Sequence, residues 1–539
     1  MKYLRLSFLL LLITQLSFAQ TWQDTVALIN KAFAQYQPAA PGCQLSVSRN
    51  GQIIFSQAWG MADMERNVPL STASILEAGS VSKQFTAAAI LLLEQQGKLS
   101  LDDDVRKYVP ELPDYGTPIT LHQMMHHLSG LRDWGSVSEL TGWPRSRKFY
   151  SNDDALEIIA RQKHLNNKPG DEFIYSNSNY NLFAIIVQRV SGLSLAAFTR
   201  KFIFEPAGMT HTQWRDDPNR VVPNRAIAYS KQDSAFIIDM PNEYVYGNGG
   251  LLTTTEDLLK WDIFYQGGKL GSPSLLPKQL HTELLNNGGI NPYGAGLFIR
   301  QVMGWNNISH SGATAGYRAY LETFPQLNLS IAMLSNTSQF NIAEMESRIR
   351  KIFVPDKTEQ VTNSKINFNL PGAALNSFTG MYLNERDAST FRLSAKDDHL
   401  MLDDDLVLSP VSVNTFKTAG FVMEINGNEG MYITSSLVDT IHFTKVKQVT
   451  PSAKELKDYT GTYFSSETNA DITIQNKNGI LMLHLKPGED YTLTPTYADA
   501  FKTSDLDGDL QFKRNDQHKI VLFTISVSRA RNIEFKKLQ

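Results

Sequence analysis

Ser80 and Lys83 stand three residues apart in the stretch Glu77-Ala-Gly-Ser80-Val-Ser-Lys83-Gln-Phe-Thr-Ala-Ala-Ala-Ile90. A serine is a weak nucleophile until a neighbouring base takes its proton, and a lysine kept neutral by burial can be that base. Residues at i and i+3 share a helix face, so the two side chains touch if the stretch is helical. The apolar run continues through Leu93 and meets Gly97, which predicts a helix buried on every side and stopped at that glycine. Ser80 then sits at the helix N-terminus, where free amides and the dipole favour developing negative charge. This is the chemistry of an acyl-serine enzyme. The pattern is short, and the plain alternative is a helix start with a solvated lysine. Partners for the pair must come from elsewhere in the chain.

Two segments offer them. Phe173-Ile-Tyr175-Ser-Asn177-Ser-Asn-Tyr180 leads into a second apolar helix, Leu182 to Val190, ending at Gly192. Ser176 or Asn177 could be an ordinary N-cap; alternatively Tyr175 and Asn177 present a phenol and an amide to the first helix. His310-Ser311-Gly312-Ala313-Thr-Ala-Gly316 falls between expected strands Asn307–His310 and Tyr317–Phe324. There His310 reads either as a turn residue at a strand end or as a histidine poised on a sheet edge. His122, His126 and His127 have no carboxylate at ligand spacing, so neither a metal nor an organic cofactor is expected. Gly247-Asn-Gly-Gly250 lacks the lysine of a phosphate loop and reads as a structural turn. Asp403-Asp-Asp405 and Asp505-Leu-Asp-Gly-Asp509 lack the full calcium-loop ligand set and read as polar turns.

The elements that must position these groups follow from pattern. At 539 residues the chain exceeds one core, and two to four domains are expected. Its 42% hydrophobic and 19% charged content is that of a globular protein. A net charge of −3 with no basic tract sets nucleic acid aside as a partner. Residues 1–19 read as a secretory signal, with Lys2 and Arg5, an apolar Phe8–Leu16 and the small-residue site Ser17-Phe-Ala19, so the expected location is periplasmic or secreted. No later segment is long and apolar enough to span a membrane. Cys43, without a second cysteine, reads as a small core hydrophobe at a strand start. An amphipathic helix is expected over 22–36, then a hairpin of Gln44–Ser48 and Ile53–Gln57. A helix opened by Thr254-x-x-Asp257, strands Ala295–Arg300 and Ser330–Ser335 and a helix Ile342–Ile352 complete this part.

Ser80-x-x-Lys83, Tyr175-x-Asn177 and His310-x-Gly312 occur together and in this order. The chain thereby resembles the serine β-lactamase and penicillin-binding-protein family, in the branch of class C β-lactamases, D-aminopeptidases, D-Ala-D-Ala carboxypeptidases and esterases. His127-Leu-Ser-Gly-Leu131, Glu205-Pro-Ala-Gly-Met209 and Gly249-Gly-Leu-x-x-Thr-x-x-Asp257 are similar to further blocks of that group. The resemblance covers roughly residues 25–355. It implies an α+β catalytic domain, an antiparallel sheet flanked by helices plus a helical subdomain, over residues 20–358. It also implies Ser80 as nucleophile, Lys83 or Tyr175 as its base, Asn177 as orienting group, and the amides of Ser80 and Ala313 as an oxyanion hole. Many members carry lysine where this chain has His310. A histidine is largely neutral at pH 7, which favours aminopeptidase, amidase or esterase substrates over β-lactams and free C-termini.

Beyond about Lys365 the texture changes to short alternating strands, and it repeats. Leu375-Asn-Ser-Phe-Thr-Gly-Met-Tyr382 returns 81 residues on as Leu456-Lys-Asp-Tyr-Thr-Gly-Thr-Tyr463. Leu408-Ser-Pro410 with Phe416-Lys-Thr418 returns 85 residues on as Leu493-Thr-Pro495 with Phe501-Lys-Thr503. Two all-β barrels are expected, over 368–448 and 450–539. They resemble the lipocalin-like barrels of D-aminopeptidases, where they help shape the active-site entrance. A role as spacers or surface-binding modules fits the sequence equally well.

The expected function is an exported serine hydrolase acting on amide or ester bonds of small D-amino-acid-containing peptides, with cell-wall fragments among its candidate substrates. β-Lactamase or D-Ala-D-Ala carboxypeptidase is the alternative enzyme, and a slow-acylating binding protein the alternative of another class. The sequence is silent on oligomeric state.

Overall fold

The computed structural model describes residues 21–538 apart from 37, 144, 146, 358–367, 369, 419, 427–429, 436–437 and 487. The expected signal over 1–19 and the expected junction between 358 and 368 fall outside or at the edge of the described residues.

A six-stranded antiparallel sheet forms the spine of the first part. Its strands are β1 (Cys43–Arg49), β2 (Gln52–Trp59), β3 (Phe298–Val302), β4 (Trp305–Thr314), β5 (Tyr317–Phe324) and β6 (Leu329–Ser335), in the spatial order β3-β4-β5-β6-β1-β2. The β1–β2 hairpin turns at Asn50 and Gly51, both at positive φ, where a glycine costs nothing. Cys43 opens β1 and is fully buried. The amphipathic helix Trp22–Phe33 and the helix Ile342–Phe353 cover one face of the sheet with Ile29, Phe33, Met345 and Ile349. Thr254 caps the helix Thr255–Gln266, accepting from Asp257 N at 3.2 Å, and this helix packs on the other face.

Beside the sheet lies a helical region built around Lys83–Gln95 and Asn177–Ser191. Every residue from Lys83 to Leu93 is buried, as an apolar run on all faces demands. Gly97 and Gly192 take left-handed φ values of 68° and 74° and end the two helices. Among the described residues no single helix is long and apolar enough to cross a membrane.

Two closed eight-stranded antiparallel barrels follow, the first with strands from Gly380 to Val446 and the second with strands from Gly461 to Lys537. Their interiors are filled by side chains, Tyr382, Leu400, Leu408 and Phe416 in one and Tyr463, Leu481, Leu493 and Phe501 in the other. Of these, Tyr382, Leu408 and Phe416 recur in sequence as Tyr463, Leu493 and Phe501. The fold is therefore the α+β arrangement followed by two barrels that the sequence implied.

One local expectation needs correcting. His310 to Ala313 is not a turn between strands but the second half of β4, paired with β5 from His310↔Leu321 to Thr314↔Tyr317. Gly312 is there for proximity: a Cβ on it would lie 2.1 Å from Ala78 O and 3.1 Å from Ser80 N. Likewise β3 begins at Phe298 rather than Ala295 and pairs with β4 only up to Ser309, so the next residues of β4 are an open edge.

Candidate active site

Ser80 lies in a 3-10 turn, Gly79–Ser82, that runs straight into the helix Lys83–Gln95. Its half-buried hydroxyl is 3.2 Å from Lys83 Nζ. Lys83 is fully buried and has two further partners: Nζ donates to Asn177 Oδ1 at 2.8 Å and to Asn248 O at 2.6 Å. Asn177 starts the second buried helix. Asn248 sits in the glycine turn, which Asn181 holds by donating to Asn248 Oδ1 at 2.7 Å and Thr86 by donating to Gly247 O at 2.7 Å. The turn that sequence assigned a purely structural part thus supplies a ligand to the lysine. Burial drives the Lys83 pKa well below the ordinary lysine value, aided by Arg529 and Arg145 and opposed by Asp133. The two carbonyl oxygens take two N–H bonds of the amine, and its remaining position faces Ser80 Oγ.

The Tyr175 ring centroid is 4.8 Å from Lys83 Nζ. Its hydroxyl is buried and makes no hydrogen bond of normal geometry among the described residues. Burial pushes its pKa up, with Ser80 and Arg529 acting against that shift. His127 backs the ring at a centroid distance of 4.2 Å, and its Nδ1 accepts from Ser176 N at 3.1 Å. The three histidines of the 122–127 cluster therefore part company. His122 pairs with Glu283 at 3.2 Å, His126 Nε2 faces His281 O at 3.1 Å, and His127 serves the tyrosine.

His310 is buried, with Nε2 3.0 Å from Tyr293 Oη and Nδ1 2.6 Å from Ser311 O. Burial first, then the Lys83 charge, lowers its pKa to about 3, so the ring is neutral at physiological pH. Gly312 brings β4 against the serine turn. A Cβ on Gly79 would meet Ala313 N at 2.7 Å and one on Gly312 would meet Ser80 N at 3.1 Å, so the backbone around the two amides is in close contact. Beyond Ala313 opens a cavity of about 570 Å3 lined by Thr314, Arg318, Arg145 and Glu243 among others. A larger one of about 690 Å3, around Arg200 and His211, shares none of these groups.

All seven site residues read from the sequence thus lie together around Ser80, Lys83 and Tyr175. Two neighbours were not read from it. Asp133 is fully buried and accepts from Asn177 N at 2.6 Å. Arg529, from the second barrel, has its guanidinium 5.5 Å from the Tyr175 ring centroid and 3.5 Å from Asp133 Oδ1. Asp133 falls just past the block ending at Leu131, which was the available signal; a hairpin arginine 354 positions from Tyr175 and 396 from Asp133 carries none.

A serine hydroxyl, a buried amine, a phenol and nearby backbone amides on this fold are the parts a serine hydrolase needs. Residues 25–352, more than half of the chain, match the Beta-lactamase family, and the chain belongs to that family. Residues 445–537 match a domain of unknown function, DUF3471. Over 537 residues the chain is 24% identical to a D-aminopeptidase of Brucella anthropi, spanning 96% of this chain and 99% of that protein. A D-aminopeptidase of Gluconobacter oxydans (strain 621H) is 28% identical over 325 residues, 60% of this chain and 61% of that protein. The solved octameric penicillin-binding protein homologue from Pyrococcus abyssi shares the fold, with a TM-score of 0.54 at 21% identity over 87% of this chain and 99% of that one.

Proposed function

We propose that the protein is an exported hydrolase that forms an acyl-Ser80 intermediate and cleaves amide or ester bonds of small D-amino-acid-containing substrates. The observation that carries the reading is the lysine: fully buried, held by two carbonyl oxygens, and 3.2 Å from the serine hydroxyl. Lys83 takes the Ser80 proton as Oγ bonds to the acyl carbon. The oxygen that becomes negative is met by the Ser80 and Ala313 amides, a donor pair worth roughly 3 kcal/mol per member. Tyr175, kept protonated by burial, gives its proton to the leaving group and regains one from Lys83. Water then enters on the same path, and the acyl group leaves as an acid.

Two observations support the substrate class. The likeness to the Brucella anthropi D-aminopeptidase runs through the barrels as well as the catalytic part. His310 is neutral, so the strand bearing it offers no fixed charge to a substrate carboxylate. Export rests on the sequence of residues 1–19.

The test is labelling by a neutral acylating ester, read by intact mass, followed by turnover of D-aminoacyl amides, D-Ala-D-Ala peptides, short esters and a chromogenic cephalosporin. The expected result is one acyl adduct on the native chain, none on Ser80→Ala, and fastest turnover of the D-aminoacyl amides. An adduct that persists in Ser80→Ala overturns the assignment. Cephalosporin as the best substrate overturns the substrate class.

A further inference from the structure

The second barrel reaches into the cleft through the turn between its last two strands, Ile520–Val527 and Ala530–Lys537. The tip is Ser528, at φ 45°, and Arg529. Its backbone is tied to the catalytic part: Asp133 N donates to Arg529 O at 3.2 Å, Asn166 Nδ2 donates to the same oxygen at 2.9 Å, and Arg529 N donates to Ser136 Oγ at 3.3 Å. These bonds use main-chain atoms, so they survive a change of side chain. The guanidinium does a separate job. It lies 5.5 Å from the centroid of the ring that Lys83 Nζ also faces, and its Nη2 faces a carboxylate that holds the Asn177 amide.

We infer that Arg529 is a positioning residue for the reaction at Ser80: set against Tyr175 and Asp133, its charge fixes how the proton is shared in the Lys83–Tyr175 pair. The inference rests on the acyl-serine reading above. It makes the second barrel part of the acid–base apparatus, not only a wall of the entrance.

The surrounding charges leave this pair of groups in control. His127 and His310 face Tyr175 but are held neutral by burial, and Tyr180 and Tyr293 are phenols pushed upward by burial. Arg145 acts on Lys83, but its Nε is bonded to Glu243 Oε2 at 2.6 Å. Arg529 and Asp133 remain, and they work in opposite directions on both members of the pair. A cation nearby favours the neutral amine and the phenolate; an anion favours the ammonium and the phenol. Removing Arg529 must therefore move both limbs of the pH–rate profile to higher pH. Removing the Asp133 charge must move both to lower pH. The sign holds whether lysine or tyrosine is the base.

The experiment is the pH profile of kcat/KM for a neutral ester in the full-length protein, for Arg529→Gln, Arg529→Lys and Asp133→Asn, with melting curves as a folding control. Arg529→Gln is expected to lose about tenfold in kcat/KM on the acid side, mostly in kcat, with the limb displaced upward. Arg529→Lys restores the limb, and Asp133→Asn displaces it downward. The inference is overturned if Arg529→Gln raises KM alone with the profile unmoved, because the guanidinium is then a substrate contact. It is overturned equally if Arg529→Gln and Asp133→Asn move the profile the same way. Ester labelling of Ser80→Ala, run alongside, separates failure of this inference from failure of the acyl-serine reading.

Discussion

The two barrels are copies that have taken different work. Each has a tyrosine, Tyr382 or Tyr463, fully buried on its first strand, whose hydroxyl donates to the carbonyl four residues back at 2.8 Å. Each lays a lysine of its last strand over that ring, Lys445 at 5.7 Å and Lys537 at 5.6 Å. Their sides toward the rest of the chain differ. Apolar packing runs unbroken from the nucleophile helix into the second barrel, while the first barrel has a core of its own. The loop after the first strand shows the same divergence. Glu467 of the second barrel pairs with Arg132 at 2.7 Å, with both side chains almost fully buried. The matching position of the first barrel, 81 residues earlier, is Arg386, which reaches Glu172 at 3.4 Å and is about a third exposed. Duplication supplied two scaffolds; burial of one against the cleft turned it into part of the site.

Breaking the buried pair should produce the largest effect. Glu467→Ala leaves Arg132 desolvated, with Gln162 Oε1 and the Asn532 carbonyl as its remaining partners. It also takes an acceptor from Lys163 N. Losing one member of a buried ion pair costs on the order of 3–5 kcal/mol. The measurement is denaturant unfolding of the full-length protein together with kcat/KM. Stability and activity should fall together, because the element that carries Arg529 loses its seat. Full activity in a destabilised Glu467→Ala protein would mean that the second barrel is docked for stability alone.

Much of this was legible in the sequence, and the limits have physical causes. Ser80, Lys83, Tyr175 and Asn177 sit at the starts of two helices, where short spacings along the chain set local geometry, although neither helix start has a side-chain cap. The barrel repeat was visible because interior positions such as Tyr382 and Tyr463 must be filled alike. Ser311 to Ala313 were misplaced between strands because Gly312 and Gly316 resemble turn signals. Gly312 instead answers to the closeness of Ala78, a tertiary demand that no local pattern encodes. Asp133 and Arg529 stayed hidden for the same reason. Each is an ordinary polar residue until docking aligns them across 396 positions of chain, from 133 to 529.

A matched pair of substitutions sharpens the comparison at smaller cost. Tyr382→Phe and Tyr463→Phe remove the same hydrogen bond from equivalent places, each worth about 1 kcal/mol. Both should lower unfolding stability by similar amounts. Tyr463→Phe alone should also lower kcat/KM, because the second barrel's core is continuous with the helix that carries Lys83. Equal loss of activity in both variants would show that the barrels act as one unit on the cleft.

The smallest effect is expected from Arg386→Ala. Its partner Glu172 is buried, yet it keeps Arg531 Nη1 at 3.0 Å from its Oε2, so no bare carboxylate results. Arg386 itself is partly solvated, and an ion pair of that kind contributes 0 to about 1 kcal/mol. Its carbonyl, which accepts from Asn532 Nδ2 at 3.1 Å and joins the two barrels, is untouched by the substitution. Unfolding stability should change by less than that of Glu467→Ala by a wide margin, and kcat/KM should stay within twofold of the parent. If Arg386→Ala instead matches Glu467→Ala, the first barrel is docked as firmly as the second, and the division of labour between the copies does not hold.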